Sequence, residues 1–279
     1  MRPCTRGHEE VPVSEVNCSG SRFTTPITFE NCLACAQRLE NDCGYDHSLL
    51  KFMFDQISNR PAIHATDLVG CQLRSYWSKG ERPPEYPHQM LMRSLGVITH
   101  ALLEPGETQD GFSEQTFQVE DLVGTVDRYY ASSKRIVDFK TTRWLKPSNL
   151  PYGSHEVQVN IYAYLMRKNG YEVDSAAIQY IDLSGPTKCK ECKLPVVPVP
   201  DGLACPNCGY YPREAHLGAV LYDVDLMHPD EIESFVEQRR DALRLSLSLA
   251  QEPDAEPSYL CSYCIFLEKC PAGLRHLGR

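Results

Sequence analysis

The spacing of apolar residues predicts helices first, strands in the middle, and a long helix near the end. His47 to Ile57 carries Leu49, Leu50, Phe52, Met53, Phe54 and Ile57, a broad apolar face at helical spacing. Thr66 or Asp67 can cap a helix running to about Lys79, with Cys71 on it. A proline-rich link, Arg82 to Pro87, precedes a helix over His88 to Leu103. The period then changes to two. Phe117 to Glu120, Leu122 to Ala131 and Arg135 to Lys140 read as strands, with Ser132-Ser133 as the turn between the last two. Gly153 to Lys168 is a helix stopped at Asn169-Gly170, and Ala176 to Asp182 and Gly218 to Val224 are strands. Pro229 opens a helix to about Ala250, with Asp230 and Glu231 at its positive end. Residues 1–45 are polar and irregular. This order predicts an α/β core, a mixed central sheet flanked by helices.

The chain has 279 residues, 42% hydrophobic and 23% charged, with a formal charge of −9. That composition fits a folded protein and argues against a polybasic nucleic-acid coat, though not against a local basic groove. No run of 18 apolar residues exists and the first residues lack an apolar h-region, so neither a membrane span nor a secretory signal is expected. The expected location is the cytoplasm.

Thirteen cysteines then stand out. In a reducing compartment clustered cysteines read as metal ligands. Cys189-x2-Cys192 and Cys205-x2-Cys208 form two knuckles, the pattern of a structural zinc ribbon over Thr187 to Pro212. Cys261-x2-Cys264-x5-Cys270 needs a fourth ligand, and the isolated Cys71 can supply it. Four thiolates suit zinc or an iron–sulfur cluster, and spacing does not choose. Cys18, Cys32, Cys35 and Cys43 can form another zinc site, with Cys4, His8 and His47 as substitutes. The expected organisation is a cysteine-rich segment with a helix (1–61), a core in two parts (62–185 and 213–279), and the ribbon inserted between them (186–212).

Two expected strands carry Asp127 and Asp138, and Lys140 leaves the same face as Asp138. Burying both carboxylates without partners is costly. A divalent cation offsets that cost, lowers the pKa of water and neutralises phosphate charge. Asp-x-Lys alone equally describes a strand-end salt bridge. Gln158-x3-Tyr162 shares a helix face, and Gly96-x3-His100-x3-Glu104 offers a further metal ligand.

Together Gly-x3-His100, Gly-x2-Asp127, Asp138-x-Lys140 and Gln158-x3-Tyr162 resemble the RecB-like branch of the PD-(D/E)XK nucleases. Cys71 with Cys261, Cys264 and Cys270 resembles that branch's iron–sulfur subset, most of all the CRISPR-associated Cas-four exonuclease family, over about residues 62–272. The resemblance implies a restriction-endonuclease-like core. It implies Mg²⁺ or Mn²⁺ held by His100, Asp127, Asp138 and the carbonyl of Phe139, with Lys140 catalytic. Gln158 and Tyr162 would orient DNA or the lysine, and the four cysteines would hold a [4Fe–4S] cluster. Glu104 would be at most a supporting group. The implied activity is exonuclease action on single-stranded DNA, trimming spacer precursors beside a CRISPR integrase, with no membrane partner. Arg74, Arg128, Arg143 and Lys146 can form the positive groove, and Tyr76, Trp77 and Trp144 either stack on bases or pack in the core. Two rival readings are a RecB-like repair nuclease of a virus or mobile element, and a nuclease fold retained as a DNA- or protein-binding module.

Overall fold

The computed structural model describes residues 15–20, 25–38, 43–57, 61–81, 83–103 and 110–278. The elements in chain order are β1 (Glu15–Val16), β2 (Ile27–Thr28), α1 (Phe29–Ala36), α2 (His47–Asp55), β3 (Ile63–His64), α3 (Ala65–Val69), α4 (Gln72–Gly80) and α5 (Pro87–Leu103). Then come β4 (Phe112–Val119), β5 (Leu122–Tyr130), β6 (Arg135–Thr142), α6 (Gly153–Lys168) and β7 (Ser175–Asp182). The last are β8 (Val197–Val199), β9 (Gly202–Ala204), β10 (Ala219–Val224), α7 (Pro229–Leu249) and α8 (Pro271–His276). The fold is α/β with a mixed central sheet. Two compact units share the chain: residues 1–61, 71–97 and 242–279 form one, and 62–70 with 98–241 form the other. Among the described residues no helix is long and apolar enough to cross a membrane.

The second unit holds the sheet, in the order β10-β7-β6-β5-β3 with β4 also on β5. Helix α6 joins the parallel pair β6 and β7 and packs on β4, β5, β6, β7 and α3. Every residue from Gln158 to Met166 is buried, as expected of a helix enclosed on all sides. Gly124 on β5 permits the close approach. A Cβ there would meet Leu165 Cδ1 at 2.6 Å and Tyr162 Cε1 at 3.0 Å. Gly124→Ala is therefore expected to push α6 off the sheet, destabilise the unit by about 1–3 kcal/mol, and displace Tyr162. Thermal unfolding together with a DNA-cleavage assay checks both effects.

The first unit has two small cores. One contains Val16, Ile27, Cys32, Leu50, Met53, Phe54 and Met90, with Phe29 stacked on Phe54 at 4.0 Å. The other contains Leu73, Trp77, Phe266, Cys270 and Ala272.

Several expected boundaries move. The helix expected from Thr66 to Lys79 is two helices. His64 is the N-cap of α3, its backbone N–H donating to Asp67 Oδ2 at 2.8 Å, while Gly70 and Cys71 are extended and break the run. Cys71 thus caps α4 rather than lying within a helix. Strand β4 starts at Phe112, which packs on Phe117, Tyr129 and Tyr171, and Glu120 leaves the strand at φ 53°. The segment read as irregular contains α1, whose N-cap Thr28 hydroxyl accepts from Asn31 N–H at 3.2 Å.

Candidate active site and cysteine clusters

Strands β5 and β6 are antiparallel, with Arg128 opposite Val137. One step further in that register sets Asp127 level with Asp138, where Phe139 N–H donates to Asp127 Oδ2 at 2.7 Å. Both carboxylates are buried, Asp138 completely. Lys140 returns on the same face, its Nζ 2.8 and 3.0 Å from the two Asp138 oxygens. The register of β4 on β5 adds a residue that the sequence did not single out. Ser113 faces Arg128 and Gln115 faces Val126, so Glu114 lies level with Asp127. Glu114 holds a positive φ of 49° inside a strand, a conformation uncommon for a residue with a side chain. Three acidic residues thus stand in one row across three strands.

Helix α6 covers this row. Gln158 Nε2 donates to Tyr162 Oη at 2.5 Å, and both residues are buried. Burial, then Asp138, then Asp127 push the Tyr162 phenol well above its usual range, so it stays protonated and remains a donor. His155 and Tyr180 also border the lysine and were missed. Neither lies in a spacing that marks a site, and only the packing of α6 on β7 unites them. His100 falls on α5, and its side chain lies outside the described part of the structure, as does all of Glu104.

The expected basic and aromatic groups separate by burial. Arg143, Trp144 and Lys146 are exposed just after β6, Trp144 at 79%. Arg128 is buried and structural, donating to Ser113 Oγ and the Asp110 carbonyl at 3.0 and 3.1 Å. Trp77 is also a packing residue. It lies against Phe266, and its indole N–H donates to Glu252 at 2.7 Å. Tyr76 packs on the same core, and Arg74 belongs to that unit too.

The sulfurs of Cys189, Cys192, Cys205 and Cys208 all lie within 4.8 Å of one another. Cys189 and Cys208 are 3.7 Å apart. Four thiolates about 2.3 Å from one ion sit at tetrahedral edges of roughly 3.8 Å. The quartet therefore has the dimensions of a single-ion site. Both knuckles turn through positive φ four residues after their first cysteine, at Lys193 (59°) and Gly209 (71°). Backbone N–H groups of Cys208 and Asn207 lower the Cys205 thiol, while the neighbouring cysteine sulfurs raise that of Cys208, so the first proton to leave this crowded group comes from Cys205. The hairpin of β8 and β9 completes this segment between β7 and β10.

Cys71, Cys264 and Cys270 gather around one apolar cluster with Phe266 and Trp77. Burial raises the Cys264 thiol, nearby Arg74 lowers it, and Cys71 and Cys270 raise it further. Cys261 precedes them on a short turn, its sulfur accepting from Ser258 N–H at 3.4 Å. In the other core, burial pushes Cys32 up to about 11, with Cys43, Cys18 and Cys35 adding to it. Cys43, Cys18 and Cys35 therefore each lie within electrostatic reach of Cys32. Cys4 and His8 lie outside the described residues.

The profile of the PD-(D/E)XK nuclease superfamily matches residues 105–271, more than half of the chain. The chain belongs to the PD-(D/E)XK nuclease superfamily. Asp138-Phe139-Lys140 lies within the matched stretch, on a strand next to the one bearing Asp127. No curated relative matches the chain. Solved structures similar to it include the crystal structure of SSO0001, at 20% identity and TM-score 0.43, covering 81% of this chain and 94% of that one. Another is a phage related exonuclease from Haemophilus somnus 129PT, at 13% identity and TM-score 0.36, covering 68% and 94%.

Proposed function

We propose that the protein is a divalent-cation-dependent DNA nuclease acting on single-stranded ends. His100, Asp127, Asp138 and the Phe139 carbonyl would hold Mg²⁺ or Mn²⁺, and Lys140 would be catalytic. The observation that carries this reading is the ion pair of buried Asp138 with half-buried Lys140, beside Asp127 on the neighbouring strand. Like charges level across strands repel, and carboxylate and carbonyl oxygens are the ligands that hard divalent cations take. A bound cation supplies Lewis acidity toward phosphate and lowers the pKa of water. The chain's own groups do the rest. Asp138 fixes the Lys140 ammonium where negative charge grows on phosphorus oxygens. Gln158 and Tyr162, locked together, orient the lysine and the sugar–phosphate chain. Arg143 and Lys146 supply exposed positive charge, and Trp144 a stacking surface for a base.

The finer assignment is to a Cas-four-like enzyme that trims spacer precursors beside a CRISPR integrase. It rests on the resemblance of the motif set and of the cysteines. Cys71, Cys261, Cys264 and Cys270 would hold a [4Fe–4S] cluster. Zinc would occupy the Cys189 quartet and a second site of Cys18, Cys32, Cys35 and Cys43. The test uses single-stranded DNA labelled at either end, with a circular strand as control. Stepwise shortening of the linear strand with Mn²⁺, none with EDTA, and an intact circle are expected. No cleavage with either cation would overturn the nuclease reading, and a cut circle the exonuclease mode. Anaerobically purified protein is expected to be brown, and Cys264→Ala colourless. A colourless parent containing only zinc would refute the cluster.

A further inference from the structure

His155, Gln158 and Tyr162 stand at i, i+3 and i+7 on α6, one stripe facing the sheet. Gln158 and Tyr162 bond each other, whereas His155 is held from β7. Its Nδ1 lies 2.9 Å from Tyr180 Oη. Tyr180 is 1% exposed and stands opposite Lys140 in the parallel register of β6 and β7. The backbone N–H of Tyr152 also donates to Tyr180 Oη, at 3.2 Å.

These contacts favour one tautomer. A phenol oxygen carries one proton, and a donor already points into Tyr180 Oη. With that acceptor position taken, the phenol proton is best placed on Nδ1, and the hydrogen of the neutral imidazole then falls on Nε2. Burial, and then the nearby Lys140 charge, hold His155 down at about 4, so the ring is neutral near pH 7. The ring is half-buried, and Nε2 bonds nothing among the described residues.

We propose that His155 is a phosphate-binding residue, its Nε2–H donating to a non-bridging oxygen of a nucleic-acid phosphodiester beside Lys140. Tyr180 is the positioning residue that sets the tautomer. The inference rests on the nuclease reading and adds a substrate contact to the same site. A neutral donor suits this place. A second fixed positive charge next to Lys140 would oppose cation binding at Asp127 and Asp138, and an imidazole N–H binds an anionic oxygen without that repulsion.

The test uses the full-length protein, a fluorescent single-stranded oligonucleotide, anisotropy in Ca²⁺ for binding, and Mn²⁺ kinetics. His155→Ala is expected to raise Kd and KM about tenfold, the loss of one hydrogen bond to an anion, with the melting temperature unchanged. His155→Gln, whose amide N–H reaches the Nε2 position, is expected to recover binding to within about threefold of the parent. Tyr180→Phe frees the tautomer and is expected to weaken binding about threefold. If His155→Ala and Tyr180→Phe bind as tightly as the parent while Lys140→Ala is inactive, this inference falls and the nuclease reading stands. If His155→Gln binds no better than His155→Ala at equal stability, the donor role is likewise overturned. Full activity in Lys140→Ala would instead overturn the active-site assignment beneath it, and no cleavage by the parent with either cation the nuclease reading itself.

Discussion

Lys140→Ala is expected to lower the turnover of DNA cleavage by about 10²- to 10³-fold, the usual cost of removing one preorganised stabiliser of developing charge. Asp127→Ala and Asp138→Ala should be at least as severe, since each removes an oxygen ligand of the proposed cation as well. The lysine variant carries a second signature that a packing role for Lys140 does not predict. Asp138 is fully buried and sits 2.8 Å from the ammonium. Deleting Lys140 leaves that charge short of its counter-ion, costing up to about 3 kcal/mol, the low end for buried pairs because Lys140 keeps some solvent contact. The metal-free variant should therefore melt several degrees below the parent. Mn²⁺ should raise its melting temperature more than the parent's, because the cation replaces the missing positive charge. Unchanged turnover would remove Lys140 from the active-site assignment, and equal Mn²⁺ shifts in both proteins would place the cation away from Asp138.

The second large effect concerns the ribbon. Strands of three residues, β8 and β9, are marginal unaided, so a zinc ion on the four cysteines, as proposed, would hold this segment. Cys205→Ser is expected to release one equivalent of zinc and open the 187–212 segment to protease. The free energy involved is large, about 10–16 kcal/mol for a structural zinc site. The sheet should survive. The Leu145 N–H to Asp182 bond at 2.8 Å and the β7–β10 ladder both lie outside the hairpin. Zinc analysis with limited proteolysis checks this, and an unchanged zinc content would remove the quartet from the metal assignment.

How much of this was legible in the sequence depends on the range of each interaction. Asp138 and Lys140 are two apart on a strand, so their shared face follows from the pleat alone. The two knuckles likewise announce themselves, because a turn of three or four residues brings both thiols together. The break at Gly70 and Cys71 was not legible. Apolar spacing continues through it, and only the extended backbone of Gly70 shows where α3 stops. Spacing left Trp77 open between base stacking and core packing and made Arg128 a candidate for the positive groove; partners elsewhere in the chain, Glu252 and Asp110, hold both inside.

The sequence by itself determined the periodicities, the cysteine knuckles and the superfamily. The tertiary structure decided which side chains stand level with one another. Glu114 beside Asp127, Asp127 beside Asp138, and Tyr180 beside Lys140 are matters of strand register, and His155 reaches Tyr180 only because α6 lies against β7. Register is a non-local quantity. A slip of one residue leaves every local spacing unchanged and turns each side chain to the opposite face.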